Sequence, residues 1–205
     1  MRHFLSRIAA ASLALIVGGA ATGVAAETVR FSTVVIDAGH GGKDGGSVWN
    51  GLIEKKLCLD VAKRVETGLK AKGLKTVMTR RADTFVELEQ RARSANRYSS
   101  SVFVSIHFNG SRKTSIAGNE VYYRSLRGKL LATAISRSLK SGVKGGTRGV
   151  FYGDFKVLRE TEMPAVLVEC GYLSNKREAL RCADPEHRQR LADAIVSGLL
   201  AGRKK

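Results

Sequence analysis

Short runs rich in β-branched residues alternate along this chain with segments whose apolar residues recur at helical spacing. That alternation restricts the fold to an α/β sheet with helices on its faces. The predicted strands are Thr33 to Asp37, Leu74 to Thr79, Val102 to Ile106, Glu120 to Tyr123 and Ala165 to Val168. Between the first two, Leu57, Val61, Val65 and Leu69 repeat every four residues, and Gly73 follows where a C-terminal cap belongs, which makes one βαβ unit. Further helices are predicted over Val86 to Tyr98, Ser125 to Lys140 and Pro185 to Leu200. Asp184 would be the N-cap of the last, Pro185 its first helical residue, and Leu191, Ile195 and Leu199 its buried stripe. The glycine-rich stretch Ser141 to Asp154 reads either as a mobile rim of a site or as a long surface connection. No internal repeat, low-complexity tract or proline-rich linker interrupts the elements, so a single domain is expected.

Residues 1–26 stand apart from this pattern. Arg2 and Arg7 precede an uncharged stretch from Ile8 to Ala26, apolar from Ile8 to Val17 and closed by small residues, with Val24 and Ala26 where a signal peptidase would read before Glu27. This is the profile of a signal peptide, so cleavage after Ala26 and export of residues 27–205 are expected, to a periplasm or alternatively to the cell wall outside. An uncleaved membrane anchor is the competing reading, weakened by Gly18, Gly19 and Gly23 in a span that needs about 20 apolar residues. No stable membrane insertion is expected once the signal is removed. Charge then matters: 35 Lys and Arg against 18 Asp and Glu give +17, and residues 1–26 hold only two of those cations. Such a chain suits nucleic acid, an anionic membrane or an anionic wall polymer alike. Export argues against nucleic acid, and the aromatic residues, 6% of the chain, are not interleaved with the basic ones as a stacking platform requires. Cys58, Cys170 and Cys182 are an odd number, which excludes a disulfide-scaffolded fold.

Three polar residues sit immediately after predicted strands, where open α/β sheets bind ligands. His40 follows the first, His107 the third and Glu169 the last, so parallel strands would bring all three to one edge; Glu54, opening the first long helix, points back to the same edge. A catalytic zinc takes three protein ligands and leaves one position open, and His2Glu is an established set. His40, Glu54 and His107 would then hold the ion, with Glu169 as general base. Each has a plainer alternative: His40 as a turn residue, Glu169 paired with a surface arginine, Glu54 as a partner of the helix dipole. The glycine-rich turn lacks the Gly-Lys-Ser/Thr ending of a phosphate-binding loop and the spacing of a dinucleotide turn. Cys170 adjoins Glu169, but strand alternation turns it to the opposite face.

The segments VVIDAGHGGKDGG, GLIEK, VMTRRADTFVELEQRARSAN, SIHFNG and VLRETEMPAVLVECGYLSN occur in this order between Thr33 and Leu200. Together they resemble the zinc-dependent N-acetylmuramoyl-L-alanine amidases, the family of bacterial cell-division and spore-lysis amidases. By that resemblance His40, Glu54 and His107 match the zinc ligands and Glu169 the catalytic glutamate. The resemblance further implies a single Rossmann-like domain, a mostly parallel twisted sheet of about six strands with helices on both faces, and peptidoglycan as substrate. The bond cut would join the lactyl group of N-acetylmuramic acid to L-alanine. The chain departs from the family at Gly45, where many members have Pro, and at Phe108, where a small residue commonly follows the second His. Arg80, Asp83 and Arg91 also match family positions and are expected to brace the fold. Self-inhibited members carry a helix over the zinc; only Asn109 to Asn119 separate His107 from the next strand here, so an open site in a monomer is expected. A zinc peptidase cutting within the stem peptide and a non-catalytic wall-binding module are the competing functions, the second having no need of Glu169.

Overall fold

A computed structural model describes residues 28–204. The expected signal peptide, residues 1–26, lies outside them. In chain order the elements are β1 (Val29–Arg30), β2 (Thr33–Ala38), β3 (Val48–Trp49), β4 (Leu52–Ile53), α1 (Glu54–Ala71), β5 (Lys75–Met78), α2 (Leu88–Ala95), β6 (Ser101–Asn109), β7 (Asn119–Tyr123), α3 (Leu126–Gly142), β8 (Thr147–Tyr152), α4 (Lys156–Arg159), β9 (Ala165–Tyr172), α5 (Lys176–Ala183), α6 (Pro185–Ala201) and β10 (Arg203–Lys204).

The central sheet has six strands in the order β5-β2-β6-β9-β7-β8. The first four run parallel, so the carboxyl ends of β2, β6 and β9 share one edge, as the sequence pattern required. β7 runs antiparallel to β9, and β8 parallel to β7. The amino ends of β7 and β8 therefore lie at the edge where the other strands finish. Part of the stretch read as a loop, Ser141 to Asp154, is instead the end of α3 and the edge strand β8. Pairing with β7 supplies the regularity that the glycines hide from sequence periodicity.

Alternate residues of each buried strand face two unequal layers. Val34, Ile36, Val102, Val104, Ile106, Val166 and Val168 pack under α1, α3 and α6 in the larger core, where Leu191, Ile195 and Leu199 are fully buried. Phe108 also lies there, 1% exposed, so its bulk is absorbed by packing. Cys58, Cys170 and Cys182 are buried as free thiols in the same core, and Cys170 turns away from the Glu169 face. On the opposite face Val35, Phe103 and Leu167 meet Ala95, Val157 and Leu158 in a smaller cluster. This layer is thin because α2 has eight residues, shorter than expected from Val86 to Tyr98, and α4 only four. Beyond it His107 and Glu169 stay partly exposed.

Capping fixes the helix that closes the larger core. The Asp184 carboxylate accepts from the backbone N–H groups of Glu186 and His187, with Pro185 in the first helical position, as the sequence predicts. His187 is 3% exposed, and its Nδ1 has no hydrogen-bond partner among the described residues. Burial, with Arg190 and Arg181 nearby, pushes its pKa down from 6.5 to about 4. The unfolded chain therefore binds the proton first, and this residue lowers stability as pH falls from about 6.5 toward 4. His187→Gln is expected to flatten the decline of the thermal unfolding midpoint across that window; a slope unchanged from wild type would assign the decline to other groups.

Candidate active site

The site is assembled where β2, β6 and β9 end. His40 follows β2 in a turn with φ of 59°, a left-handed conformation held by the glycines beside it. Glu54 is the first residue of α1, 4% exposed, and its carboxylate turns back over the strand ends. His107 lies on β6, on the face of Phe103 and Ser105.

These three converge. Glu54 Oε1 stands 2.9 Å from His40 Nε2 and 2.9 Å from His107 Nδ1, and one ligand atom from each residue lies within 4.8 Å of the others. The imidazoles meet edge to face with centroids 4.8 Å apart. Backbone groups fix the carboxylate: the Ser47 N–H donates to Oε2 at 2.7 Å and the Phe108 N–H to Oε1 at 3.1 Å. His40 Nδ1 meets Asp44 Oδ2 at 2.8 Å, an orienting contact that leaves Nε2 directed into the cluster. Asp44 stands four residues after His40, a spacing visible in the sequence but given no role there. Two imidazoles and a carboxylate, all three oriented by neighbours, form a donor set suited to a divalent metal, and the cluster is placed to coordinate one. Burial alone would raise the Glu54 pKa, but the His107 and His40 hydrogen bonds hold it well below the ordinary carboxylate range. Burial alone would lower His40, but Glu54 and Asp44 raise it.

Two glycines make this convergence possible. A Cβ on Gly39 would fall 2.4 Å from His107 Cε1, and one on Gly46 would fall 2.6 Å from Glu54 Oε2 and 2.7 Å from His40 Cδ2. Gly39→Ala must therefore displace the His107 ring. Metal affinity measured by competition with a chelator is expected to fall by about tenfold or more, the scale set by disturbing the groups around metal ligands. Wild-type affinity in that variant would mean the ring has room the structure does not show.

Glu169 completes the edge without joining the cluster. On β9 it is paired in register with His107 on one side and Glu120 on the other, so the three side chains share one face. Its Oε2 is shut away from solvent and has no hydrogen-bond partner among the described residues. Burial first, then the charges of Glu54 and Glu120, push its pKa well above the ordinary range. Leaving such an oxygen unpartnered costs roughly 1–3 kcal/mol, so its presence calls for a functional explanation.

Arginines brace the site from behind. Arg80 donates to the carbonyls of Ala38, Gly39 and Lys55 at 2.7 to 2.9 Å. Arg91 donates to Asp37 at 2.8 Å and to the His40 carbonyl at 2.7 Å. Asp83 accepts from the Gly42 N–H and from Lys55. All three hold the backbone of the His40 turn or the start of α1, the bracing role expected of them. Glu120 and Arg148, joined at 2.5 Å, also stand at this edge; neither was singled out, because only the antiparallel entry of β7 brings them there.

The model of the N-acetylmuramoyl-L-alanine amidase family matches residues 34–201. An uncharacterized Bacillus subtilis (strain 168) protein, YqiI, is 39% identical over 203 residues, 97% of each chain. The N-acetylmuramoyl-L-alanine amidase LytC of the same organism is 36% identical over 173 residues, 82% of this chain but 35% of LytC. This chain thus spans nearly all of one curated relative and about a third of another. The catalytic domain of CwlV, an N-acetylmuramoyl-L-alanine amidase from Bacillus (Paenibacillus) polymyxa var. colistinus, superposes with a TM-score of 0.80 at 41% identity, covering 83% of this chain and 97% of that one. With the family model spanning almost every element of the described fold, and the ligand cluster inside that span, this chain belongs to the N-acetylmuramoyl-L-alanine amidase family.

Proposed function

We propose that the chain hydrolyses the amide joining the lactyl group of N-acetylmuramic acid to the L-alanine of the peptidoglycan stem peptide, with His40, Glu54 and His107 holding zinc and Glu169 as general base. Family membership supports the reaction and the substrate. The observation that carries the division of roles is the unpartnered Glu169 Oε2, one strand away from a His2Glu cluster whose own contacts are complete. Zinc, when bound, supplies Lewis acidity for the scissile carbonyl and lowers the pKa of a water. His40, fixed by Asp44, presents its ring nitrogen from the turn after β2 and His107 from β6, while Glu54 would contribute the anionic ligand. Glu169 takes the proton of the attacking water and returns it to the leaving nitrogen, and no hydrogen bond among the described residues competes for its carboxylate.

The segment 110–118 after β6 contains no helix, which supports a site open to substrate without an activator. All four proposed residues come from one chain, so a monomer suffices. No helix among the described residues is long and apolar enough to cross a membrane. The profile of residues 1–26 supports export, to the periplasm or the wall, with residues 27–205 as the catalytic domain. Net charge then favours encounter with an anionic wall.

Digestion of purified peptidoglycan followed by mass analysis tests the reading. Free stem peptides beginning with L-alanine are expected. Sugar chains that retain L-alanine would point to a peptidase, and release of nothing would overturn the activity.

A further inference from the structure

Glu120 and Arg148 stand at the catalytic edge with no part in the metal cluster. Glu120 is 3% exposed, and its carboxylate is saturated: Arg148 Nε at 2.5 Å and the Tyr172 hydroxyl at 3.0 Å donate to Oε1, the Tyr122 hydroxyl at 2.8 Å and Asn109 Nδ2 at 3.2 Å to Oε2. Fixed on four sides, this carboxylate has nothing left to offer a substrate, but it holds the guanidinium in one orientation. Arg148 also lies over the Tyr172 ring, its Cζ 6.0 Å from the centroid. Only Nε is used: among the described residues neither terminal nitrogen of Arg148 makes a hydrogen bond, and the side chain remains 42% exposed. A guanidinium anchored through Nε with its terminal N–H groups open is prepared to receive a carboxylate.

Its place in the sheet says which part of the substrate it meets. Across the sheet the row runs His107, Glu169, Glu120, and then β8, which carries Arg148. Strands lie about 4.8 Å apart, so a group between β7 and β8 is about 5–10 Å from Glu169. Two extended peptide residues span about 7 Å. A cavity of about 370 Å³ beside His40 and His107 has no part of Arg148 in its lining, where Phe85, Leu88 and Phe155 stand with both acidic and basic side chains. Of the two halves joined at the scissile amide, the peptide is the one that carries carboxylates.

We infer that Arg148, oriented by Glu120, binds a free carboxylate on the second residue of the stem peptide and so sets a preference for the acid over its carboxamide at that position. The inference rests on the amidase reading and deepens it. Arg148 acts on binding and leaves the proton transfers to Glu169.

Steady-state kinetics on a pair of soluble muropeptides, differing only in a carboxylate or a carboxamide at the second residue, test this. Wild type is expected to show a KM about tenfold lower for the acid, with kcat similar for both. Arg148→Gln is expected to raise KM for the acid to that for the amide and to leave the amide's KM unchanged. Removal of Arg148 leaves Glu120 without its cation, so the Glu120→Gln/Arg148→Gln double variant is run beside Glu120→Gln; the acid preference must be absent from the double variant, as from Arg148→Gln, and must persist in reduced form in Glu120→Gln, which keeps the guanidinium. Equal KM values for acid and amide in wild type overturn the inference, as does an Arg148→Gln variant that loses kcat equally on both substrates, the mark of a purely structural clamp. If wild type cleaves neither muropeptide, the amidase reading itself has failed, and this inference falls with it.

Discussion

Glu169→Gln is expected to lower kcat by about 10²- to 10⁴-fold while leaving bound metal and the unfolding midpoint close to wild type. The size follows from the role, since the amide isostere keeps the shape of the side chain but cannot accept the water proton. Metal retention follows from the geometry: Glu169 is not one of the residues whose ligand atoms converge, and its Oε2 has no hydrogen-bond partner among the described residues. Stability is preserved or slightly improved because a buried, unpartnered ionisable group is exchanged for a neutral one. Metal analysis and single-turnover rates on the same preparation separate the possibilities. Loss of metal together with rate would make Glu169 a ligand, and retention of rate would remove it from the chemistry.

The largest expected effect on folding belongs to Arg91. Its guanidinium is 2% exposed and donates to Asp37 Oδ1 and to the carbonyls of Ala38, His40 and Val86. Asp37 is fully buried and also accepts from Thr79 and Ser105, each at 2.6 Å. Arg91→Met strands that carboxylate in the core and frees the carbonyls that shape the His40 turn. A loss of about 3–5 kcal/mol, read from denaturant midpoints, is expected. Asp37→Asn added to Arg91→Met should recover part of it by removing the orphan charge. Burial would raise the Asp37 pKa, but Arg91 and the two hydroxyls hold it below its ordinary value, so the pair's contribution is present above about pH 4 and fades as pH falls below that. Additive effects in the double variant would show that the two groups do not depend on each other.

The sequence made the frame of this protein visible where local and tertiary signals agree. β2, β6 and β9 are continuous apolar runs because both of their faces are covered, and α1 and α6 carry their stripes and caps in the chain itself. His40, Glu54, His107 and Glu169 stood out because each borders an apolar run; β6 and β9 in fact continue through His107 and Glu169 to Asn109 and Tyr172, and the structure brings the first three within ligand distance and sets the fourth beside them. What could not be read depended on partners distant in the chain. β8 was hidden because Arg148 and Gly149 break its alternation and only β7 gives it a ladder. α5 was missed because it is eight residues long and defined mainly by the Asn175 cap. β1 and β10 are two residues each and exist only by pairing the two ends of the described chain. The direction of β7 carries no local signature, yet it alone brings Glu120 and Arg148 to the catalytic edge.

The most direct measurement is metal content and peptidoglycan hydrolysis followed together on one sample through chelation and zinc restoration. The account predicts one zinc per chain, loss of stem-peptide release in step with loss of metal, and recovery of both on adding zinc, with His107→Ala failing to recover either. Hydrolysis that persists in fully metal-free protein, or zinc bound with full affinity by His107→Ala, would contradict it.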